Sequence, residues 1–155
     1  MIFLLLSFRA TRTKPRRISN IQVKLIFNKG DKKVYKTTVQ PKDQAAFHGE
    51  VLHQVCSTFA LARDIEWASR LFFIEMKEED EEGVGTYLEI QHRAPAFVGD
   101  ELTITATVES ISGNELICTI EVMQKDKLIA FGKTGQRMLK KEKLNRIFTP
   151  TGTHE

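Results

Sequence analysis

The sequence predicts an α+β fold in which an antiparallel sheet wraps around one long central helix. Three observations support this class. One stretch near the middle of the chain has helical periodicity, its apolar residues fall on two faces, and the region after it alternates apolar and polar residues as strands do. At 155 residues the chain has the size of one domain. We assign that domain to residues 21–147, after a basic N-terminal extension (1–20) and before a C-terminal tail (148–155).

The positive charge of the chain is concentrated in the N-terminal extension. Five of the 23 Lys and Arg residues lie in residues 1–20, which leaves 18 basic against 20 acidic residues in the rest. The near-neutral remainder gives no reason to expect nucleic-acid binding. The apolar run at residues 2–6 is too short to cross a bilayer or to form a signal-peptide core. A disordered extension, or a start site assigned upstream of the true one, explains this leader better than organelle targeting does.

The first strands are predicted on either side of a turn. Four apolar residues alternate with polar ones from Ile21 to Phe27, as in a half-buried strand, the other two being Val23 and Leu25. Residues 28–31 (NKGD) read as a turn. Residues 33–40 read as a second strand, which ends at Pro41.

The long helix is predicted from Thr58 to about Lys77. Ser57 or Thr58 can cap it, since a hydroxyl there accepts a hydrogen bond from a free backbone N–H of the first turn. One broad apolar stripe contains Leu61, Ala62, Ile65, Ala68, Phe72, Phe73 and Met76, and a second patch contains Ala60, Trp67, Leu71 and Ile74. Two apolar faces predict a helix buried on both sides. The acidic run at residues 78–82 is interpreted as a solvated loop.

The region after the helix alternates like a β-meander. Strands are predicted at residues 86–92, 101–111, 115–124 and 128–139, with turns at 112–114 and 125–127. A sheet wrapped around a single helix covers both faces of that helix, which is the hot-dog architecture. An exposed sheet edge and the remaining apolar area favour a homodimer, with a tetramer left open.

Three ionisable residues do not fit the simple pattern. Glu66 lies on the shoulder of the main apolar stripe, where it either forms surface ion pairs with Arg63 and Arg70 or has a function. His92 shares a strand face with apolar residues, which is typical of a core or rim histidine as well as of a catalyst. Arg137 lies on an apolar strand face, where a guanidinium needs a partner unless it reaches solvent.

Together with the hydroxyl of Thr58, the carboxylate and the imidazole form a set suited to ester cleavage. A carboxylate acts as base or nucleophile, an imidazole moves a proton or stabilises charge, and a hydroxyl positions the attacked group or a water. The pattern alone does not bring these residues together.

Three segments resemble the fluoroacetyl-CoA thioesterase family. In STFALARDIEW (57–67) a Thr is separated by seven residues from a Glu, which is followed by Trp, as at the start of that family's helix. In VGTYLEIQHRAPAFVGDELTITATV (84–108) a V-G-T strand opening leads to a His, then to Ala-Pro and a V-G turn. GKTGQR (132–137) is similar to the family's closing Gly-x-x-x-x-Arg strand. The likeness covers roughly residues 33–143.

The resemblance implies catalytic roles for Thr58, Glu66 and His92. In the family, the Glu and Thr help attack the thioester carbonyl, by direct carboxylate attack or through an activated water, and the His supports the reaction. The same resemblance places Gly85 and Arg137 at positions that shape the acyl end of the pocket, and so predicts that they bind substrate.

The sequence departs from the family at two points. Gly135-Gln136 stands where the family often has a basic or His residue just before its Arg. The phenylalanine lid associated with fluoroacetyl selectivity has no matched counterpart, and Phe47 is a candidate by position only. We therefore expect a short or medium acyl-CoA substrate rather than a fluorinated one.

The first hypothesis is hydrolysis of an acyl-CoA, or of a related thioester, in the cytoplasm without a metal or organic cofactor. A hot-dog module that binds acyl-CoA without cleaving it is the alternative, and a hydratase is disfavoured because no Asp–His pair stands out. The four histidines have no zinc-site spacing; they are His48, His53, His92 and His154. The two cysteines form no CxxC pair and are expected to stay reduced.

Overall fold

The computed structural model describes residues 24–149, which form one five-stranded sheet, one two-stranded sheet and two α-helices. The N-terminal extension, the first two apolar residues of the predicted first strand and the chain beyond residue 149 lie outside the described residues. The strands are β1 (Lys32–Thr38), β2 (Gln44–Phe47), β3 (Glu50–Cys56), β4 (Glu81–His92), β5 (Glu101–Ser112), β6 (Glu115–Gln124) and β7 (Lys127–Lys140). The helices are α1 (Thr58–Met76) and α2 (Lys141–Phe148), and a short 3₁₀ helix occupies Pro41–Asp43.

The large sheet has the strand order β1-β5-β6-β7-β4, and each neighbouring pair is antiparallel. Helix α1 packs across one face of this sheet, and the side chains between them form the core. The helix contributes Leu61, Ile65, Ala68, Phe72, Phe73 and Met76, all buried. The predicted α+β class, with an antiparallel sheet around one long helix, is confirmed.

One of the two predicted apolar faces of α1 is fully buried by this chain, and the other is buried only in part. The main stripe lies in the core as predicted, but Trp67 and Ile74 on the other face are 41% and 44% exposed. The sheet of a single chain covers one side of a helix, so the second face has no layer to pack against within residues 24–149. The prediction that the helix is buried on both sides is therefore wrong for one chain.

The predicted first strand is wrong in its described part, because Leu25 and Phe27 belong to no strand. The outer edge of β1 is unpaired in the described sheet, but the segment before the turn does not add a strand to it. Phe27 instead packs its ring edge-on against Phe72, with 5.0 Å between centroids. The predicted turn at residues 28–31 is confirmed, with Asp31 N donating to Asn28 O.

The acidic run is a solvated loop only in its first half. Residues 78–80 are exposed, but Glu81 opens β4 and is 5% exposed. Its carboxylate accepts a hydrogen bond from the backbone N–H of Glu78 and forms an ion pair with Lys140. This pairing satisfies a buried charge, which hydropathy alone does not predict.

The predicted meander is confirmed for β5, β6 and β7 but not for β4. Strand β4 pairs with β7 at the far edge of the sheet, rather than with β5, which follows it in sequence. Two elements were not predicted at all, the β2–β3 hairpin and helix α2. The hairpin turns at His48 and Gly49, which both have positive φ, and a His-Gly pair between two apolar segments is a weak signal for such a turn.

Candidate active site

The start of helix α1 leaves the hydroxyl of Thr58 available. The cap is Ser57, whose Oγ accepts a hydrogen bond from Ala60 N at 3.1 Å. Thr58 is the first residue of the helix and its side chain is exposed. Since Ser57 satisfies the free N–H group, the Thr58 side chain has no capping role.

Thr58 and His92 are in direct contact. The Thr58 Oγ1 atom lies 3.1 Å from His92 Nε2. The register of β4 against β7 pairs His92 with the buried Ala130 and gives Leu88, Ile90 and His92 the same strand face. Because β4 runs antiparallel to α1, its last residue reaches the first turn of the helix. A hydroxyl–imidazole pair of this kind can transfer a proton or fix a bound water.

Glu66 lies eight residues further along α1, against the backbone of Gly85. A Cβ atom placed at position 85 would lie 2.6 Å from Glu66 Oε1 and 3.3 Å from Oε2. The carboxylate therefore occupies space that any other residue at position 85 would fill. Next to it β4 has a bulge, which leaves Thr86 without a partner in β7, and such bulges often re-aim groups beside active sites.

The two arginines considered as ion-pair partners of Glu66 bind other groups. Arg63 binds Asp64 through Nε and Nη2 and also reaches Asp43. Arg70 donates to Gly83 O and pairs with Glu82. In residues 24–149 no hydrogen bond or ion pair reaches the Glu66 carboxylate. Glu66 therefore does not form the surface ion pairs with Arg63 and Arg70 that were one of its two interpretations.

An open groove of about 530 Å³ runs along α1 past Glu66. This volume falls within the usual range of ligand pockets. Its described lining consists of Tyr35, Arg63, Asp64, Glu66, Trp67 and Arg70. Thr58 and His92 do not line it, so the groove contains only part of the candidate site.

Within one chain the candidate residues form two separate groups. With a rise of about 1.5 Å per helical residue, Thr58 and Glu66 lie about 12 Å apart along the helix axis. The first group is therefore Thr58 with His92, and the second is Glu66 with Gly85. Arg137 joins neither of them. It lies on the sheet face away from α1, where its Nε donates to Glu115 Oε1 at 3.0 Å, and its role in substrate binding stays a prediction.

A competing nucleophile lies close to Thr58, the thiol of Cys56. Burial, followed by the nearby charges of Asp43 and Asp64, raises the pKa of this thiol to about 11. A thiol with that pKa is protonated near neutral pH and is a poor nucleophile. Among residues 24–149, no cluster of three or more His, Cys, Asp or Glu side chains is arranged as a metal site.

A buried polar cluster beneath Glu66 was not among the residues predicted from the sequence. Gln136 Nε2 donates to Glu66 O at 3.0 Å and to Ser69 Oγ at 2.8 Å. Ser69 Oγ in turn donates to Glu66 O at 3.0 Å. One signal was available, since Gln136 alternates with Thr134 and Met138 and so shares a strand face with an apolar residue.

Solved hot-dog structures share this architecture. A hypothetical protein from Thermus thermophilus, a thioesterase superfamily member, is similar with a TM-score of 0.75 and 31% identity, over 78% of this chain and 90% of that chain. A hot-dog-like protein from Thermanaerovibrio acidaminovorans gives 0.74 and 22%, over 81% and 94%. The fluoroacetyl-CoA thioesterase FlK gives 0.73 and 22%, over 80% and 98%. The fold and these similarities define the class, a hot-dog thioesterase.

The family follows from the sequence. The family model for fluoroacetyl-CoA-specific thioesterases matches residues 39–142, which is more than half of the chain. The chain therefore belongs to the fluoroacetyl-CoA-specific thioesterase family and is a thioester hydrolase. Structures of FlK variants contain fluoroacetate and CoA, or acetyl-CoA. No curated protein sequence matches the chain significantly, and no helix in residues 24–149 is long and apolar enough to cross a membrane.

Proposed function

We propose that this protein hydrolyses short or medium acyl-CoA thioesters to a free acid and CoA, using Thr58, Glu66 and His92. The observation that carries the proposal is the 3.1 Å contact between Thr58 Oγ1 and His92 Nε2. Two polar side chains from distant parts of the sequence meet there, at the exposed start of a buried helix. The absence of competing partners for Glu66 within residues 24–149 supports a chemical role for its carboxylate.

In this proposal Glu66 either attacks the thioester carbonyl itself or removes a proton from an attacking water. The C–S bond then breaks, and the CoA sulfur leaves with a proton. His92 and the Thr58 hydroxyl hold the carbonyl or the water and supply that proton. When Glu66 itself attacks, the acyl group is left as an anhydride on its carboxylate, and a water then hydrolyses this anhydride to release the free acid and restore Glu66. When water attacks, the free acid forms directly. Gly85 contributes by having no side chain, because its bare backbone leaves room for the carboxylate and for the thioester beside it.

The test is to measure release of the free CoA thiol across a panel of acyl-CoA chain lengths. We expect Glu66→Gln and His92→Ala each to lower kcat/KM by about 100-fold or more, the usual contribution of a general acid or base. Glu142→Gln, which changes an exposed glutamate on α2 away from the site, is the matched control and retains full activity. If both variants match the wild type, the proposed site is wrong. If the wild type binds acyl-CoA but cleaves none of the panel, it acts as a binding module.

We also propose that the protein is a homodimer joined along β4. This strand is an edge of the sheet, with β7 on one side only. Apolar side chains beside that edge are exposed, including Tyr87 at 50% and Leu88 at 42%, while Trp67 is exposed on the outer face of α1. Long unpaired edges with apolar neighbours are usually covered by another chain.

The dimer also explains how the two groups of the site meet. In an antiparallel pairing of β4 with its copy, a two-fold axis near Leu88 puts Gly85 opposite His92 of the partner subunit. The Glu66 carboxylate, which lies against Gly85, then approaches the Thr58–His92 pair of the other chain. Each dimer has two such composite sites.

Subunit exchange between inactive variants tests this arrangement. A mixed dimer of Glu66→Gln and His92→Ala has one site in which both residues are native and one in which both are replaced. Equal mixing gives mixed dimers in half of the population, so activity returns to about one quarter of the wild-type value. If each site lies within one chain, no mixed dimer has an intact site and the mixture stays inactive. The dimer itself is measured by sedimentation, where Leu88→Arg shifts the protein towards monomer.

A further inference from the structure

The amide of Gln136 is a buried polar group in an otherwise apolar contact between helix and sheet. Gln136 is 1% exposed and Ser69, its hydrogen-bond partner on α1, is fully buried. Around them α1 meets the sheet through aliphatic and aromatic side chains. Burying an amide costs free energy unless the amide is hydrogen-bonded. We therefore expect the Gln136 amide to have a specific role at this position.

One of the two hydrogen bonds of Gln136 ends on the residue proposed to carry out the chemistry, and the other ends on Ser69. Its Nε2 donates to the backbone oxygen of Glu66 at 3.0 Å. In the register of β4 against β7, Gln136 is also the direct cross-strand partner of Gly85. Gln136 therefore lies beside Gly85 in the sheet. It also binds the turn of α1 that carries Glu66, whose carboxylate lies against Gly85.

Apolar packing does not fix the position of a helix along its axis as sharply as a hydrogen bond does. Hydrophobic contacts are non-directional, whereas hydrogen bonds weaken steeply with distance and angle. The other polar contacts between α1 and the sheet in residues 24–149 are at its ends or its exposed side, such as Thr58 with His92 and Arg70 with Gly83. Gln136 provides the buried directional contact at the level of Glu66.

We propose that Gln136 is a positioning residue that, together with Ser69, holds the Glu66 turn of α1 at the distance from Gly85 needed for thioester cleavage. This inference rests on the proposed role of Glu66. It also gives a function to a position where the sequence departs from its family, the Gly135-Gln136 pair that stands before Arg137.

The test is a double-mutant cycle with Gln136→Met and Glu66→Gln, measured as kcat and KM for acyl-CoA hydrolysis. Met keeps the length of the side chain but removes the donor. We expect Gln136→Met to lower kcat about 10-fold, since small displacements of a reacting group cost that much or more, while KM changes less than about 2-fold. In the Glu66→Gln background the same substitution has no further effect, because the group it positions is already gone.

Thr134→Val is the matched control. Thr134 lies on the same face of β7, is equally buried, and its hydroxyl has no hydrogen-bond partner within residues 24–149. We expect this variant to keep the wild-type kcat. A crystal structure of Gln136→Met provides a readout independent of activity, in which the Glu66 carboxylate has moved relative to Gly85.

The inference is overturned if Gln136→Met keeps the wild-type kcat, lowers kcat equally in both backgrounds, or leaves the carboxylate in place. If the single variant Glu66→Gln has an unchanged kcat, the proposed function is wrong, and the inference fails with it. This outcome is distinct from the three above. If Gln136→Met does not fold, Ser69→Ala replaces it in the cycle. We then expect kcat to fall about 3-fold, the loss of one of two donors to Glu66 O, and an unchanged value overturns the inference.

Discussion

The two groups of the candidate site are held by the fold in different ways. Thr58 and His92 are exposed and meet in one side-chain contact of 3.1 Å at the start of α1. Glu66 is half-buried, and its backbone oxygen receives hydrogen bonds from the buried Gln136 and Ser69. The first group depends on side-chain conformation at the surface, and the second depends on the packing of a whole helix against the sheet.

This difference suggests that the group of Thr58 and His92 can adjust its position, whereas the group of Glu66 and Gly85 is held in one position. The surroundings of Thr58 include the β2–β3 hairpin, which is separate from the main sheet and contacts the loop between β4 and β5 through an isolated bridge between Val55 and Phe97. The Glu66 carboxylate borders the open groove, but its helical turn is bound on the sheet side by the buried Gln136 and Ser69. Catalytic groups act best when a rigid scaffold fixes them, so substitutions around Glu66 should reduce activity more than equally small ones around Thr58.

Among substitutions that leave Glu66 and His92 in place, the largest effect is expected from Gly85→Ala. The added methyl group would lie 2.6 Å from Glu66 Oε1, which forces the carboxylate or the strand to move. We expect kcat/KM to fall by about 100-fold, as for a misplacement of about 1 Å. The measurement is thiol release from acyl-CoA, with a thermal melt to show that the variant is folded. Combined with Glu66→Gln, Gly85→Ala should cause little further loss, and full activity of Gly85→Ala alone would contradict the geometry.

At the exposed group, Thr58→Val tests the hydroxyl. Valine has nearly the shape of threonine but cannot bond to His92, so we expect a loss of about 10-fold in kcat, equivalent to one hydrogen bond of about 1.4 kcal/mol. Thr58→Ser keeps the hydroxyl and should stay within about 3-fold of the wild type. Equal activity of the valine and serine variants would show that the hydroxyl has no role.

The sequence predicted the fold better than it predicted the contacts of the site. Periodicity located α1 within one residue of its observed end and gave β6 its observed bounds, because both depend on local alternation of apolar residues. Pairing of β4 with β7 is a long-range event, so local pattern could not predict it. The second face of α1 was predicted to be buried because it is apolar. A pattern of apolar residues does not show whether the same chain or another chain covers that face.

The candidate site also shows that sequence patterns do not predict contacts between distant residues. Motif spacing identified Thr58, Glu66 and His92 as candidates, and the structure brings Thr58 and His92 into contact. The sequence could not decide whether Ser57 or Thr58 is the cap, and it did not show that Arg63 and Arg70 pair with other acids. Gln136 was noted only as part of a departure from the family, and the packed structure shows that it binds the backbone of Glu66.

Arg137→Ala should have a smaller effect than either change above. In one chain its guanidinium is on the far face of the sheet, paired with Glu115 and largely in solvent. Exposed ion pairs contribute about 0–1 kcal/mol, so we expect kcat/KM to stay within about 3-fold of the wild type. Glu115→Gln, which removes the other half of the pair, is the matched variant. A loss confined to Arg137→Ala would instead support the substrate-binding role that the family resemblance implies.

The smallest effect is expected from alkylation of Cys56, the thiol two residues before Thr58. Its pKa is raised from 9.0 to about 11, mainly by burial, so the neutral form persists to high pH. At pH 8 the thiolate fraction is about 100-fold lower than for a thiol with the ordinary value, and iodoacetamide should react correspondingly slowly. The labelling rate, followed by mass spectrometry, should rise about tenfold per pH unit between pH 8 and 10.

Hydrolysis should stay within about 2-fold of the untreated rate over the same period, because the thiol takes no part in the reaction. Rapid labelling at pH 8 with parallel loss of activity would instead place a thiolate at the exposed group, and would transfer the role of nucleophile from Glu66 to Cys56.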